Sequence, residues 1–141
     1  MKKLSLEIGD VAELQRVVAA IQNEFSTAKI FLLKGNLGAG KTSFVKAFAD
    51  VLQCKDAVQS PTYGIVNEYR TMLGESVFHF DLYRIKDTSE LLDIGFEDYV
   101  YANKYCFIEW FEIAEKLLPE GCVEIQIRVQ GDQRIFDVGM H

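Results

Sequence analysis

With 141 residues, the chain has the length for one domain and one sizeable core, but not for two. Its 49% hydrophobic and 26% charged content is that of a soluble globular protein. A formal charge of −6 argues against nucleic-acid binding by bulk electrostatics, which needs clustered Lys and Arg. Three widely spaced cysteines, Cys54, Cys106 and Cys122, form no CxxC pair and read as reduced, buried hydrophobes rather than a disulfide framework or zinc site.

From the N-terminus, Met1-Lys2-Lys3 meets Glu7 and Asp10 before any long apolar run, so no signal peptide is read there. No stretch approaches the ~20 apolar residues of a membrane span, and a cytoplasmic location is expected. Leu4 to Ile8 alternates as a short strand, and Asp10 then caps a helix with Val11, Leu14, Val17, Val18 and Ile21 at helical spacing. Ile30-Phe31-Leu32-Leu33 is a continuous apolar run, as in a buried parallel strand. A glycine-rich loop follows, then a helix from Ser43 to Leu52 with Phe44, Val45, Phe48 and Leu52 on one side. Ile65 to Leu73 and Ser76 to Phe80 read as strands joined around Gly74, and Thr88 to Ala102 as a helical stretch. Tyr105 to Ile108 is another buried strand, with a helix from Phe111 to Leu117 that stops before Pro119. Val123 to Val129 and Arg134 to Val138 flank Gly131-Asp132 as a C-terminal hairpin. The expected architecture is α/β, a P-loop NTPase-like mixed β-sheet flanked by helices, in a single domain over residues 1–141.

Gly35-Asn36-Leu37-Gly38-Ala39-Gly40-Lys41-Thr42 matches G-x-x-x-x-G-K-[ST]. Gly35, Gly38 and Gly40 let the backbone turn tightly, so that successive amides point at phosphate oxygens, and the helix behind the loop adds its positive dipole end. Lys41 reaches β- and γ-phosphates, and the Thr42 hydroxyl suits the shell of a Mg²⁺ ion. Chance would place such a match in roughly half a percent of chains this size. Here it also follows a buried strand and opens an amphipathic helix, as the mechanism demands. Nucleotide-contacting residues are therefore expected at Gly35, Asn36, Leu37, Gly38, Ala39, Gly40, Lys41, Thr42 and Ser43.

Two more apolar strands end in acids, at Asp81 and Glu109, and ligands of open α/β sheets bind beyond the carboxyl ends of strands. One acid would hold Mg²⁺ and the other complete its shell or orient the attacking water; the residues alone do not divide these roles. Ser60-Pro61-Thr62-Tyr63 reads as a plain turn, with Thr62 the alternative candidate for sensing a γ-phosphate. His79, between Phe78 and Phe80, reads as a satisfied structural histidine, and an exposed Trp110 beside Glu109 would suit a partner contact. No N-K-x-D guanine motif exists, since Asn103-Lys104-Tyr105-Cys106 lacks the acid; ATP is expected rather than GTP.

These residues together resemble the TsaE family of bacterial ATPases, required for making threonylcarbamoyladenosine in tRNA. The resemblance rests on G-N-L-G-A-G-K-T (35–42), S-P-T-Y (60–63), H-F-D-L-Y-R (79–84), Glu90-Leu91, Gly95, Asp98-Tyr99 and Glu109-Trp110, in matching order over most of the chain. It implies Thr42 and Glu109 as Mg²⁺ ligands, Asp81 as an acid needed for hydrolysis, Thr62 as a switch residue, and Arg134 as the late Arg near the nucleotide. Asn36 stands where many members have Asp, and Phe111 where many have Pro or Ser; the first leaves the backbone cradle intact. The implied role is that of a partner, weakly active alone, whose ATP hydrolysis supports turnover by a complex of TsaD and TsaB. Contact with tRNA would be indirect, no membrane would be involved, and a monomer is expected. Two rival readings share the loop. A small-molecule kinase should add an Arg-rich lid, yet Arg70, Arg84, Arg128 and Arg134 are scattered; a nucleotide sensor would bind ATP without hydrolysing it.

Overall fold

A computed structural model describes residues 3–36, 38–61 and 64–141. Seven strands form one mixed sheet: β1 (Lys3–Ile8), β2 (Ile30–Lys34), β3 (Val66–Arg70), β4 (Ser76–Asp81), β5 (Tyr105–Glu109), β6 (Val123–Gln130) and β7 (Gln133–Met140). Their order across the sheet is β1-β7-β6-β2-β5-β4-β3. β2 lies between β5 and β6, parallel to both, and β4 runs parallel to β5; the β1–β7, β6–β7 and β3–β4 pairs are antiparallel. The expected mixed sheet and closing hairpin are both present.

Period-two alternation divides the core between two faces. On one, Phe31, Leu33, Val77 and Phe107 pack under α1 (Leu14–Glu24) and α2 (Lys41–Val51). On the other, Ile30, Leu32, Phe80, Cys106 and Ile108 are covered by α3 (Thr88–Asp93), α4 (Phe96–Val100) and a 3-10 helix over Phe111–Leu117. The ring of Phe48 on α2 lies 5.1 Å from that of Phe31 and 5.0 Å from that of Phe107. This aromatic cluster fixes α2 over the middle of the sheet, and truncating such a buried Phe costs about 3–5 kcal/mol.

Several local expectations are corrected. Asp10 caps a 3-10 turn, Val11–Glu13, by accepting the Ala12 N–H, and α1 begins only at Leu14; Val11 is therefore exposed while Leu14, Val17, Val18 and Ile21 are buried. The helical stretch read over 88–102 is two short helices. The chain breaks at Gly95 (φ +74), and Leu92 turns outward while Leu91 and Phe96 stay buried. β3 is shorter than 65–73 because Met72-Leu73 form the turn into Gly74. The helix read over Phe111–Leu117 is present with those bounds, as a 3-10 helix. Of the cysteines, Cys106 and Cys122 are buried and Cys54 half-buried, and all three are free thiols. Burial pushes the Cys106 thiol up to about 12 and, with Glu115 nearby, the Cys122 thiol to about 11, so both stay protonated. No helix among the described residues is long and apolar enough to cross a membrane.

Candidate functional site

The glycine loop leaves the end of β2 and enters α2 at Lys41, two residues before the expected start at Ser43. Gly38 and Gly40 hold φ of +82° and +110°, and the space where a side chain would stand is open at both. Left-handed backbone with nothing packed against it leaves amides accessible to an incoming group. Gly35 has a different reason: a Cβ there would come 2.9 Å from the Ile127 carbonyl oxygen on β6. The Ala39 N–H closes a turn onto the Asn36 carbonyl at 2.9 Å, and Ala39 itself is buried. Leu37, also expected to contact nucleotide, lies outside the described residues.

Lys41 carries a side chain only 10% exposed. Its ammonium is 3.6 Å from Glu109 Oε1 and 5.3 Å from the centroid of the Trp110 ring. The structure thus brings the loop lysine and the acid at the end of β5 together, because Leu33 and Glu109 are paired positions on adjacent parallel strands. Asp81 is the paired position beyond Glu109 on β4, so both acids end on the α2 face of the sheet. Asp81 is half-buried, with Oδ1 accepting the Tyr83 N–H at 3.0 Å, and it borders a cavity of about 280 Å³ with Ser60, Pro61, Tyr83 and Arg84. The Thr42 hydroxyl is 2.6 Å from that of Ser60. Thr62 lies outside the described residues.

His79 is a satisfied core histidine, as read, but its partners join it to the site. Its Nε2 is 2.8 Å from Glu109 Oε2, and its Nδ1 3.1 Å from the Tyr69 hydroxyl. Sequence reasoning missed Tyr69, and it named Ser60 only as part of the 60–63 turn motif, with no role of its own. For His79 a signal existed: it precedes Asp81 by two residues on one strand, and so shares its face.

Two openings flank the loop. One, about 550 Å³, is bordered by Gly35, Asn36, Lys41, Trp110, Glu112 and Arg128. The other, about 230 Å³, sets the apolar side chains of Ile8, Val11 and Leu14 against Gly40, Ser43 and Arg134. The latter places Arg134 and Ser43 beside the loop, with an apolar wall of the kind a flat ring would need. Trp110 is 46% exposed, tilts against Tyr83 at 4.9 Å, and holds φ +56°. A bulky residue in left-handed backbone stores strain of order 1–3 kcal/mol, and such residues cluster at functional sites.

Hard oxygens suit Mg²⁺, which takes one or two protein ligands and completes its shell with phosphates and water. The Thr42 hydroxyl and Glu109 carboxylate are of that donor type, and the loop amides and Lys41 are of the type that meets phosphate oxygens.

A central parallel strand feeding a G-x-x-x-x-G-K-[ST] loop, with acids ending the neighbouring strands, defines the P-loop class of α/β proteins. Within that class the chain belongs to the TsaE family: residues 8–136 match the family described as threonylcarbamoyl adenosine biosynthesis protein TsaE. It is 33% identical to the Bacillus subtilis tRNA threonylcarbamoyladenosine biosynthesis protein TsaE over 132 residues, 94% of this chain and 82% of that one. Identity to the Treponema pallidum protein of the same name is 36% over 132 residues, 94% of each. The crystal structure of Bacillus subtilis YdiB superposes with a TM-score of 0.74 at 27% identity, covering 99% of this chain and 86% of the other.

Proposed function

We propose that this protein is a Mg²⁺-dependent ATPase that serves tRNA threonylcarbamoyladenosine synthesis as a partner of the TsaD–TsaB complex, without itself transferring the threonylcarbamoyl group. The observation that carries the reading is the placement of Lys41 against Glu109 at the mouth of the glycine loop, 3.6 Å apart and largely out of water. Desolvation offsets much of the attraction in a buried ion pair, so stability alone is a weak reason for this one. On nucleotide binding, the lysine would exchange a carboxylate partner for β- and γ-phosphate oxygens, and Glu109 would become free to serve as an oxygen ligand. Gly35, Asn36, Leu37, Gly38, Ala39 and Gly40 would cradle the phosphates, with Ser43 and Arg134 at the flanking opening. Thr42 and Glu109 would hold Mg²⁺, which when bound neutralises charge building on the β- and γ-phosphates. Asp81 would orient the attacking water from the next strand, and Thr62 would respond to the γ-phosphate. The nucleotide is ATP, with the guanine motif absent. Binding of tRNA would fall to the partners, consistent with a charge of −6, and the protein would act as a cytoplasmic monomer.

Phosphate release from ATP, measured with and without a reconstituted TsaD–TsaB pair, tests this. Slow release alone and faster release with the pair is the expected result. ADP formed without free phosphate, and only when a small-molecule acceptor takes up the γ-phosphoryl group, would mean a kinase; ATP binding with no ADP formed under any condition would mean a sensor.

A further inference from the structure

Among the described residues, two polar side chains lie in the core, His79 at 0% exposure and Glu109 at 5%. A carboxylate only accepts hydrogen bonds, so the 2.8 Å contact requires His79 Nε2 to carry a proton and donate it to Glu109 Oε2. The group facing Nδ1 at 3.1 Å is the Tyr69 hydroxyl. That hydroxyl donates to the Gln59 carbonyl at 2.7 Å while its oxygen accepts the Gln59 N–H at 3.1 Å, and its one proton serves either the carbonyl or Nδ1 at a time. Asn67 Nδ2 donates to that same carbonyl at 3.0 Å. Ser60, next along the chain, meets the Thr42 hydroxyl at 2.6 Å, and Thr42 adjoins Lys41, which meets Glu109 Oε1. The contacts close a circuit: Lys41, Glu109, His79, Tyr69, Gln59-Ser60, and back to Thr42.

We propose that His79 and Tyr69 are positioning residues that fix the orientation of the Glu109 carboxylate and tie it to the segment at Gln59-Ser60. The proposal deepens the reading of Glu109 as a Mg²⁺ ligand and rests on it. With one oxygen fixed by His79, the carboxylate can turn only about the axis that keeps Oε1 toward Lys41 and the loop. An apolar side chain could occupy this core position, so packing alone does not call for a histidine here. Partners that orient a ligating side chain in this way are typically worth about 10- to 100-fold in metal affinity.

The lone Trp110 follows Glu109 and reports on the site by its fluorescence. ATP is titrated in EDTA and then at graded MgCl₂ for the native protein, His79→Phe, His79→Gln, Tyr69→Phe and Glu109→Gln. His79→Phe is expected to raise the half-saturating Mg²⁺ concentration about tenfold or more, with ATP affinity in EDTA unchanged. His79→Gln, whose amide can donate from near the Nε2 position, should recover most of the loss, and Tyr69→Phe should shift the curve less, in the same direction. A native Mg²⁺ curve for His79→Phe overturns the proposal, as does equal impairment in the Phe and Gln variants. Glu109→Gln separates the two levels. If it shifts the curve and His79→Phe does not, the positioning role alone fails; if neither does, the ligand reading itself fails. Should His79→Phe not fold, Tyr69→Phe and the ring nitrogens decide. ¹⁵N–¹H correlation spectra of the metal-free protein should show a proton on His79 Nε2, and a bare Nε2 would overturn the proposal.

Discussion

Adding one methyl group at Gly35 tests whether the loop is held by its close approach to β6. A Cβ built there lies 2.9 Å from the Ile127 carbonyl oxygen and 3.3 Å from the Ala39 Cβ. The first contact is with strand backbone, at a position paired antiparallel with Phe136 of β7, so relief requires β6 or the loop to move. Overpacking of this kind costs about 1–3 kcal/mol. Unfolding entropy of about 2.1 cal/mol/K per residue amounts, for a chain of this length, to about 0.3 kcal/mol/K, so Gly35→Ala should lower Tm by about 3–10 °C. Gly40→Ala meets no atom within 4 Å and should lose only the cost of its φ of +110°, about 1–2 kcal/mol. Gly64→Ala, with its nearest contact at 3.9 Å and no left-handed φ, is the control and should unfold at or slightly above the native temperature. Calorimetric melts of the three variants without nucleotide provide the measurement. A Gly35→Ala protein melting with the control would refute the close approach as the reason for glycine.

Lys41→Ala should weaken ATP binding by roughly ten- to hundredfold in a calorimetric titration, the loss of charge-assisted hydrogen bonds; unchanged affinity would remove Lys41 from the site. Asp81→Asn and Glu109→Gln should stay folded and bind ATP while partner-stimulated phosphate release falls about 100-fold or more, and near-native release in both would make them ordinary strand-end acids. His141 sits between Glu115 and Glu124, whose hydrogen bonds, Glu115's the stronger, raise its pKa above the ordinary histidine range. Because the raised value belongs to the folded state, the pair stabilises fully below the unfolded pKa of about 6.5 and is lost as pH rises through the folded one. His141→Gln should therefore lower Tm more at pH 6 than at pH 9, and an equal drop at both would contradict the ion pairs.

What could be read from sequence was whatever depends on neighbours along the chain. Ile30 to Leu33 has no polar position, which forces a strand buried on both faces, and the loop after it carries its own spacing rule. Asp81 and Glu109 were legible as strand ends for the same reason. Their partners were not. His79 reaches Glu109 only because β4 and β5 pair in one register, and Tyr69 reaches His79 only because β3 folds back on β4. A shift of one residue would have turned His79 to the opposite face. The break at Gly95 was hidden differently: Leu91, Phe96 and Val100 fit a helical stripe well enough to suggest continuity, and the interruption lies in one backbone angle.

The small opening bordered by Ile8, Leu14, Gly40 and Arg134 draws its walls from the two ends of the sequence. β1 meets β7 along its whole length, Lys3 against Gly139 and Ile8 against Arg134, a closure across more than a hundred intervening residues that chain entropy opposes. β1 is an edge strand, with hydrogen-bonding neighbours on one side only, and edge elements open locally before the rest of a domain does. Whatever fills that opening touches both partners of this last zipper, so its binding free energy is also a clamp on the sheet's edge. Amide exchange along Leu4 to Leu6 would then slow on filling, though none of those residues borders the opening.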